Sequence, residues 1–264
     1  MARAVRLSRT DLIAPAVTDT FYDELAPFYH LLYPDWAQSV DRQGAALAGL
    51  LRDLGTPAGS RVHDAACGIG TQTIGLAVRG YQMSASDVSS AALARASEEL
   101  ASRQLTATLG VADMRALDTV VTDAVRAVIA CDNAVPHLLS DDDICAAFRS
   151  ARDILKPDGL LVISVRDYAM MLRRNPDVHP HAFHRDEDVR SMAVQVWEWD
   201  GDWYDVRLYL TREEADGSCA TRVLRTRYYA VTIARLLELM RGAGFSRVER
   251  HDDVLFQPVL VGVR

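Results

Sequence analysis

The chain has 264 residues, 49% of them hydrophobic and 25% charged, a composition that suits one catalytic domain with an insertion and a sizeable core. A formal net charge of −7 leaves no clustered basic face for a polyanion, so DNA and RNA are excluded as expected partners. The four cysteines form no CxxC pair and read as reduced thiols of a soluble cytoplasmic protein, and no apolar run approaches the roughly 18 residues of a membrane span.

In chain order, Met1 to Thr20 is interrupted by Arg3, Arg6, Arg9 and Asp11 and does not read as a signal peptide. Phe21 to Leu54 carries two helical patterns broken at Pro34, the second amphipathic with Val40, Leu47, Leu50, Leu51 and Leu54 on its apolar side. We take residues 1–55 as an N-terminal helical lid and residues 56–264 as the core. Strands are predicted at Arg61–Ala65, Tyr81–Ser86, Thr106–Gly110, Val125–Cys131 and Gly159–Val165. They alternate with helices at Thr71–Arg79, Ser89–Ser102 and Asp141–Leu155. This α/β alternation implies right-handed crossovers and a doubly wound, Rossmann-like parallel sheet.

The order then breaks. Ser191–Asp200, Trp203–Thr211 and Thr221–Ala230 read as strands joined by polar turns, giving inserted antiparallel β-hairpins at about 185–230. Ahead of them, the stretch from His179 to His184 reads as a loop; its three histidines lack the extra ligands of a metal site, and no metal is expected. A helix at Thr232–Arg241, stopped by Gly242 and Gly244, precedes strands at Ser246–His251 and Val254–Val263, so the sheet closes with an antiparallel last strand.

Between the first strand and its helix, Asp64-Ala65-Ala66-Cys67-Gly68-Ile69-Gly70 forms a glycine-rich turn that lets backbone approach a ligand closely. Asp87 follows 19 residues after Gly68, at the end of the second strand, where a carboxylate can accept from a ribose diol. Those features alone also suit a dinucleotide. Asp64 favours S-adenosylmethionine instead, because its charge assists a cationic amino acid and sulfonium but repels a pyrophosphate. Asp113 and Met114, closing the third strand, supply an acceptor and an apolar wall for adenine, and the antiparallel close of the sheet points the same way.

With these motifs the core resembles the class I methyltransferases, and this resemblance runs in element order from Phe21 to Val263. More narrowly, Asp64 to Gly70, Cys131 to Leu138 and Val165-Arg166-Asp167-Tyr168 resemble the glycine/sarcosine N-methyltransferases and their bacterial small-molecule relatives. The resemblance implies that Asp87 and Asp113 bind ribose and adenine, that the Asn133 segment lies against the methionyl part, and that Tyr22 and Tyr33 belong to the lid. The cofactor contacts expected are Tyr22, Tyr33, Trp36, Asp64, Ala66, Gly68, Gly70, Asp87, Val88, Asp113, Met114, Asn133 and His137.

Substrate chemistry is expected at the carboxyl ends of strands four and five, from Asn133, His137, Arg166 and Tyr168. Asn133 either orients an amine or closes a turn, and His137 either assists proton removal or packs as a wall. Arg166 has two readings: a bidentate clamp for an acceptor carboxylate, or a salt bridge to Asp167 or Asp186. In the resembling glycine enzymes the arginine of this motif holds the substrate carboxylate. The aromatics Tyr22, Tyr29, Tyr33 and Trp36, at spacings of 7, 4 and 3, fall mostly on one helical side. The expected partner is a small-molecule acceptor, an amine or amino acid, with O- or C-methylation of a natural product and a non-catalytic binding subunit as the rival readings. A homo-oligomer is left open.

Overall fold

The computed structural model describes residues 18–264; the Met1 to Thr20 stretch, up to residue 17, lies outside the described residues. Helix α1 (Thr18–Leu25) runs into a 3-10 segment (Ala26–Leu32), and α2 (Trp36–Asp53) begins beyond Pro34, where Asp35 caps it by accepting from the Gln38 amide at 2.9 Å. The predicted apolar side of α2 holds, with Val40, Leu47 and Leu51 buried.

The alternating region forms β1 (Arg61–Asp64), α3 (Thr71–Ala77), β2 (Gln82–Asp87), α4 (Ser90–Ser102), β3 (Thr108–Val111), β4 (Val125–Ala130), α5 (Asp141–Ile154) and β5 (Leu155–Ser164). Ser89 and Ser140 cap α4 and α5 by accepting from amides three residues on, and three aspartates fill the first turn of α5, where they favour the positive end of the helix dipole. Strands β1 and β4 are buried over most of their length, as a sheet covered on both faces requires.

Next come β6 (Asp177–Asp186), β7 (Val189–Asp200), β8 (Trp203–Glu213) and β9 (Cys219–Tyr229), followed by α6 (Ile233–Gly242), β10 (Ser246–His251) and β11 (Val259–Val263). The main sheet has the order β3-β2-β1-β4-β5-β11-β10; only β11 runs against its neighbours. The second sheet is a four-stranded antiparallel meander in the order β6-β7-β8-β9. Sequence reading missed β6 and took its histidines for a loop. Pro180 removes a ladder donor, which only an edge strand or a bulge tolerates, and the pairing with β7 does shift between Pro180 and Ala182.

Two cores sandwich the main sheet. On one face α5 and α6 bury Ile144, Phe148, Leu236 and Met240 against β4 and β5, and on the other α2 and α3 bury Leu47, Leu51 and Leu76. The second sheet rests on the N-terminal helices through Phe21, Leu25, Leu208 and Leu224. Asp23 of α1 ties that layer to the main domain by accepting from the Ser89 hydroxyl at 2.6 Å and the Ala91 amide at 3.1 Å. Among the described residues no helix is long and apolar enough to cross a membrane.

Helices α2 and α3 meet backbone to backbone. A Cβ on Gly75 would lie 2.6 Å from the Val40 carbonyl oxygen and 2.8 Å from the Gly44 Cα. Gly75→Ala should therefore overpack a rigid contact and cost about 1–3 kcal/mol, read as a lower urea midpoint at unchanged slope. An unchanged midpoint would show that the helices separate freely.

Candidate active site

Two cavities share one wall above the carboxyl ends of the parallel strands. The larger, about 410 Å³, is bounded by Ala66 to Gly68 after β1, Asp87 and Val88 at the end of β2, Asp113 and Met114 after β3, His137 after β4, and Tyr22 and Tyr29 from the N-terminal layer. The smaller, about 250 Å³, holds Tyr33, Arg166, His181, Gln195 and Tyr228. Tyr22, Tyr29 and Asp132 border both.

The floor of the larger cavity is the glycine turn. Gly68 and Gly70 have φ of 51° and 93°, in the left-handed region that glycine enters without a Cβ penalty. Asp87 pins this turn: Oδ2 accepts from the Gly68 amide at 2.8 Å and Oδ1 from the Ser89 amide at 2.9 Å. Burial raises its pKa, against the lowering effect of those amides. Each oxygen keeps a lone pair, and the residue borders the cavity, so a diol can still be held.

Asp113 also faces this cavity. Burial pushes its carboxyl up, but hydrogen bonds from Arg115 at 2.7 and 3.0 Å hold it below the usual range, and Arg115 bridges on to Asp143 at 2.6 Å. A cleft with a carboxylate acceptor at the end of β2, an acidic and apolar end after β3 and close backbone at the turn fits an adenosyl amino acid.

Several expected contacts lie elsewhere. Asp64 sits behind the turn, with Oδ2 accepting from the Thr73 hydroxyl at 2.8 Å and Oδ1 buried without a partner among the described residues. Burial raises its pKa to about 7, so its charge is not permanent at neutral pH. Gly70 opens α3 rather than bordering the cavity. Trp36 packs on Val40, Ile69 and Ile74 and donates to the Thr71 hydroxyl at 2.8 Å, bracing the first turn of α3 instead of closing the lid. The helical spacing of the four aromatics did not foresee this, because the chain breaks between Tyr33 and Trp36.

Asn133 and Tyr168 do not border either cavity. They form a buried bracket in which the Tyr168 hydroxyl lies 2.8 Å from Asn133 Nδ2, 3.0 Å from its Oδ1 and 2.9 Å from the Tyr204 hydroxyl. Asn133 Oδ1 also accepts from the Arg166 amide at 3.0 Å, so this bracket positions Arg166. The Arg166 guanidinium lies 5.1 Å from the Trp197 ring and 6.0 Å from Tyr228, with no ion pair among the described residues. Asp167, one of its expected partners, pairs with Arg250 at 2.8 Å instead.

His137 places Nε2 2.8 Å from the Tyr22 hydroxyl and Nδ1 3.4 Å from Thr226, with its ring on Tyr228. Burial, then the charge of Arg166, lowers its pKa to about 3. The neighbouring histidines diverge: His179 stacks on Trp197, His184 faces the Leu31 carbonyl, and only His181 borders the smaller cavity. Sequence reading gave no role to Asp132, although it stands inside the quoted Cys131-Asp132-Asn133 segment; its place after β4 was the available signal. Gln72, which donates to it at 2.9 Å, carried none.

Two outcomes follow. Asp87→Ala, kept folded by circular dichroism, should weaken S-adenosylmethionine binding by roughly 10- to 100-fold in calorimetry, the range of a lost charged hydrogen bond; unchanged affinity would remove Asp87 from the site. An unfolded His137 titrates near 6.5 while the folded one titrates near 3, so its neutral form adds stability above pH 6.5 that is lost as pH falls toward 3. His137→Gln should flatten that acid loss in pH-dependent denaturation, and an identical slope would show that His137 is exposed.

Residues 62–159 match a methyltransferase domain family. The chain is 27% identical to glycine N-methyltransferase of Mus musculus over 266 residues, covering 94% of this chain and 90% of that protein. It is 28% identical to the putative methyltransferase YqeM of Bacillus subtilis over 198 residues, 70% and 73% of the two chains. Its fold superposes on the S-adenosylmethionine-bound amino pentose methyltransferase CalS10 from Micromonospora echinaspora with a TM-score of 0.74 at 21% identity, covering 86% of this chain and 92% of that one. A seven-stranded sheet with one reversed strand, a glycine turn pinned by a carboxylate and a methyltransferase domain at residues 62–159 together support an S-adenosylmethionine-dependent methyltransferase on a class I fold, and the chain is similar to the glycine N-methyltransferases.

Proposed function

We propose that the chain methylates the nitrogen of a small amine or amino acid. The observation that carries this reading is Arg166: a guanidinium facing a cavity of about 250 Å³ beside the cofactor cleft, without a carboxylate partner among the described residues. Such a group is suited to a bidentate grip on an acceptor carboxylate. The relatives named above that act on glycine and on an amino pentose lend support, since both substrates carry nitrogen.

The bound cofactor supplies a methyl group on a sulfonium. The protein's part is alignment, which can lower a bimolecular barrier by about 7–11 kcal/mol. Arg166 fixes one end of the acceptor while Tyr22 and Tyr29, on the wall between the cavities, confine its path. On this reading the segment up to residue 55 serves as a lid over a catalytic core from residue 56.

O- or C-methylation of a larger natural product is the second reading, supported by Tyr228 and Gln195 of the inserted sheet on the acceptor wall. Tyr229 points away, donating to Asp141 at 3.1 Å.

Arg166→Ala should raise the acceptor KM far more than that of S-adenosylmethionine and lower kcat/KM by roughly 10- to 100-fold, with Arg166→Lys a partial rescue. An amine lacking the carboxylate should be a poor acceptor of the native enzyme and be little affected by either change. Kinetics with a substrate and its decarboxylated analogue test this; an equal loss for both would favour the natural-product reading.

A further inference from the structure

We propose that Asp132 receives the ammonium group of the acceptor: its Oδ1 holds the nitrogen at the junction of the two cavities and takes the proton that must leave before methyl transfer. This rests on the N-methylation reading and gives it a residue that sequence reading did not assign.

Placement comes first. Asp132 borders both cavities, one on the cofactor side and one on the Arg166 side. Its backbone lies in the left-handed region at φ 56°, and its amide donates to the Ser164 hydroxyl at 2.8 Å, so the main chain that carries the carboxylate is held in place. Oδ2 accepts from the Tyr33 hydroxyl at 3.0 Å and from Gln72 Nε2 at 2.9 Å. Oδ1 is buried and has no partner among the described residues. A buried acceptor left unmatched costs free energy unless a ligand completes it, and an ammonium is the matching donor. With Arg166 on the same cavity, one site offers a cation for the carboxylate and an anion for the ammonium of an amino acid.

The other titratable groups nearby cannot serve as the base. His137 has both ring nitrogens engaged and is pushed down to about pH 3, so it holds a proton too weakly. Asp87 is committed to the Gly68 and Ser89 amides, and Asp64 lies behind the turn. The hydroxyls of Tyr29 and Tyr33, which face Asp132 from the 3-10 segment and just after it, are held protonated by burial, as is the adjoining Cys131 thiol. Asp132 itself is raised by burial, against the hydrogen-bonding influence of Gln72, Tyr33 and the neighbouring Gln43 amide and the charge of Arg166. A raised carboxylate is a better proton acceptor than a free one.

The step balances. Oδ1 takes one proton from the ammonium, and the electron pair of that N–H bond becomes the nitrogen lone pair. The lone pair forms the N–C bond to the methyl carbon as the S–C bond breaks, its electrons remaining on sulfur. The products are a methylated ammonium and a neutral thioether, and Asp132 releases its proton to solvent as they leave.

The test is Asp132→Asn, which keeps an oxygen for Tyr33 and Gln72 and tolerates the left-handed backbone. Glycine, sarcosine and an amino pentose are the acceptors, with product detection by mass spectrometry. For whichever is methylated, kcat should fall at least about 100-fold with the S-adenosylmethionine KM within about twofold, and the remaining rate should climb with pH as the amine deprotonates in solution. In calorimetry, protein saturated with S-adenosylhomocysteine should bind that acceptor at least about tenfold more weakly in the variant. A merely structural Asp132 predicts neither the altered pH profile nor the selective loss of acceptor. A methylated nitrogen acceptor with kcat within about threefold of the native value overturns the assignment of Asp132 alone. No nitrogen methylation by the native enzyme overturns the N-methylation reading, and the assignment with it.

Discussion

The carboxylate of Asp87, bonded to two backbone amides on different loops, is the constraint around which the site is arranged. One oxygen holds the Gly68 amide and the other the Ser89 amide, so a single side chain sets the distance between the turn after β1 and the start of α4. That turn in turn opens α3, whose first residue is braced by Trp36 and whose fifth lies against the backbone of α2. The shape of the larger cavity is thus held by polar contacts inside and by close helix packing outside.

A second network joins the inserted sheet to the main one. The Asn133, Tyr168 and Tyr204 side chains satisfy one another in the interior, and Trp197, Tyr204 and Tyr228 pack around them. Buried polar groups are costly when unpaired and rigid when fully paired. Here the paired cluster keeps Arg166 close to aromatic faces with its charge turned to a cavity.

Most of the fold was legible because the hydrophobic period changes cleanly along the chain. Strands of the parallel sheet appear as short apolar runs, and serine or aspartate caps mark the starts of α2, α4 and α5. Strand β6 was hidden by Pro180 and by polar residues on an edge that one-sided burial does not pattern. Of the residues expected in the site, Gly68 of the glycine turn, Asp87, Asp113 and Arg166 border the two cavities, each standing just beyond or at a strand end. Asn133, Tyr168 and Trp36 were misplaced for a shared reason: position at a strand or helix end locates the backbone, whereas the direction of a side chain depends on partners far away in sequence. Asp132 went unassigned for the same reason, since its significance comes from Tyr33 and Gln72.

The wall shared by the two cavities has a thermodynamic consequence. Tyr22, Tyr29 and Asp132 face both compartments, and the rings of Tyr22 and Tyr29 stack 6.0 Å apart. Any ligand that orders these side chains from one compartment changes the free energy of ordering them from the other. Linkage makes that effect reciprocal: the factor by which the first ligand alters affinity for the second equals the factor in the opposite direction. A shared wall of this kind couples whatever binds on its two sides without any subunit contact.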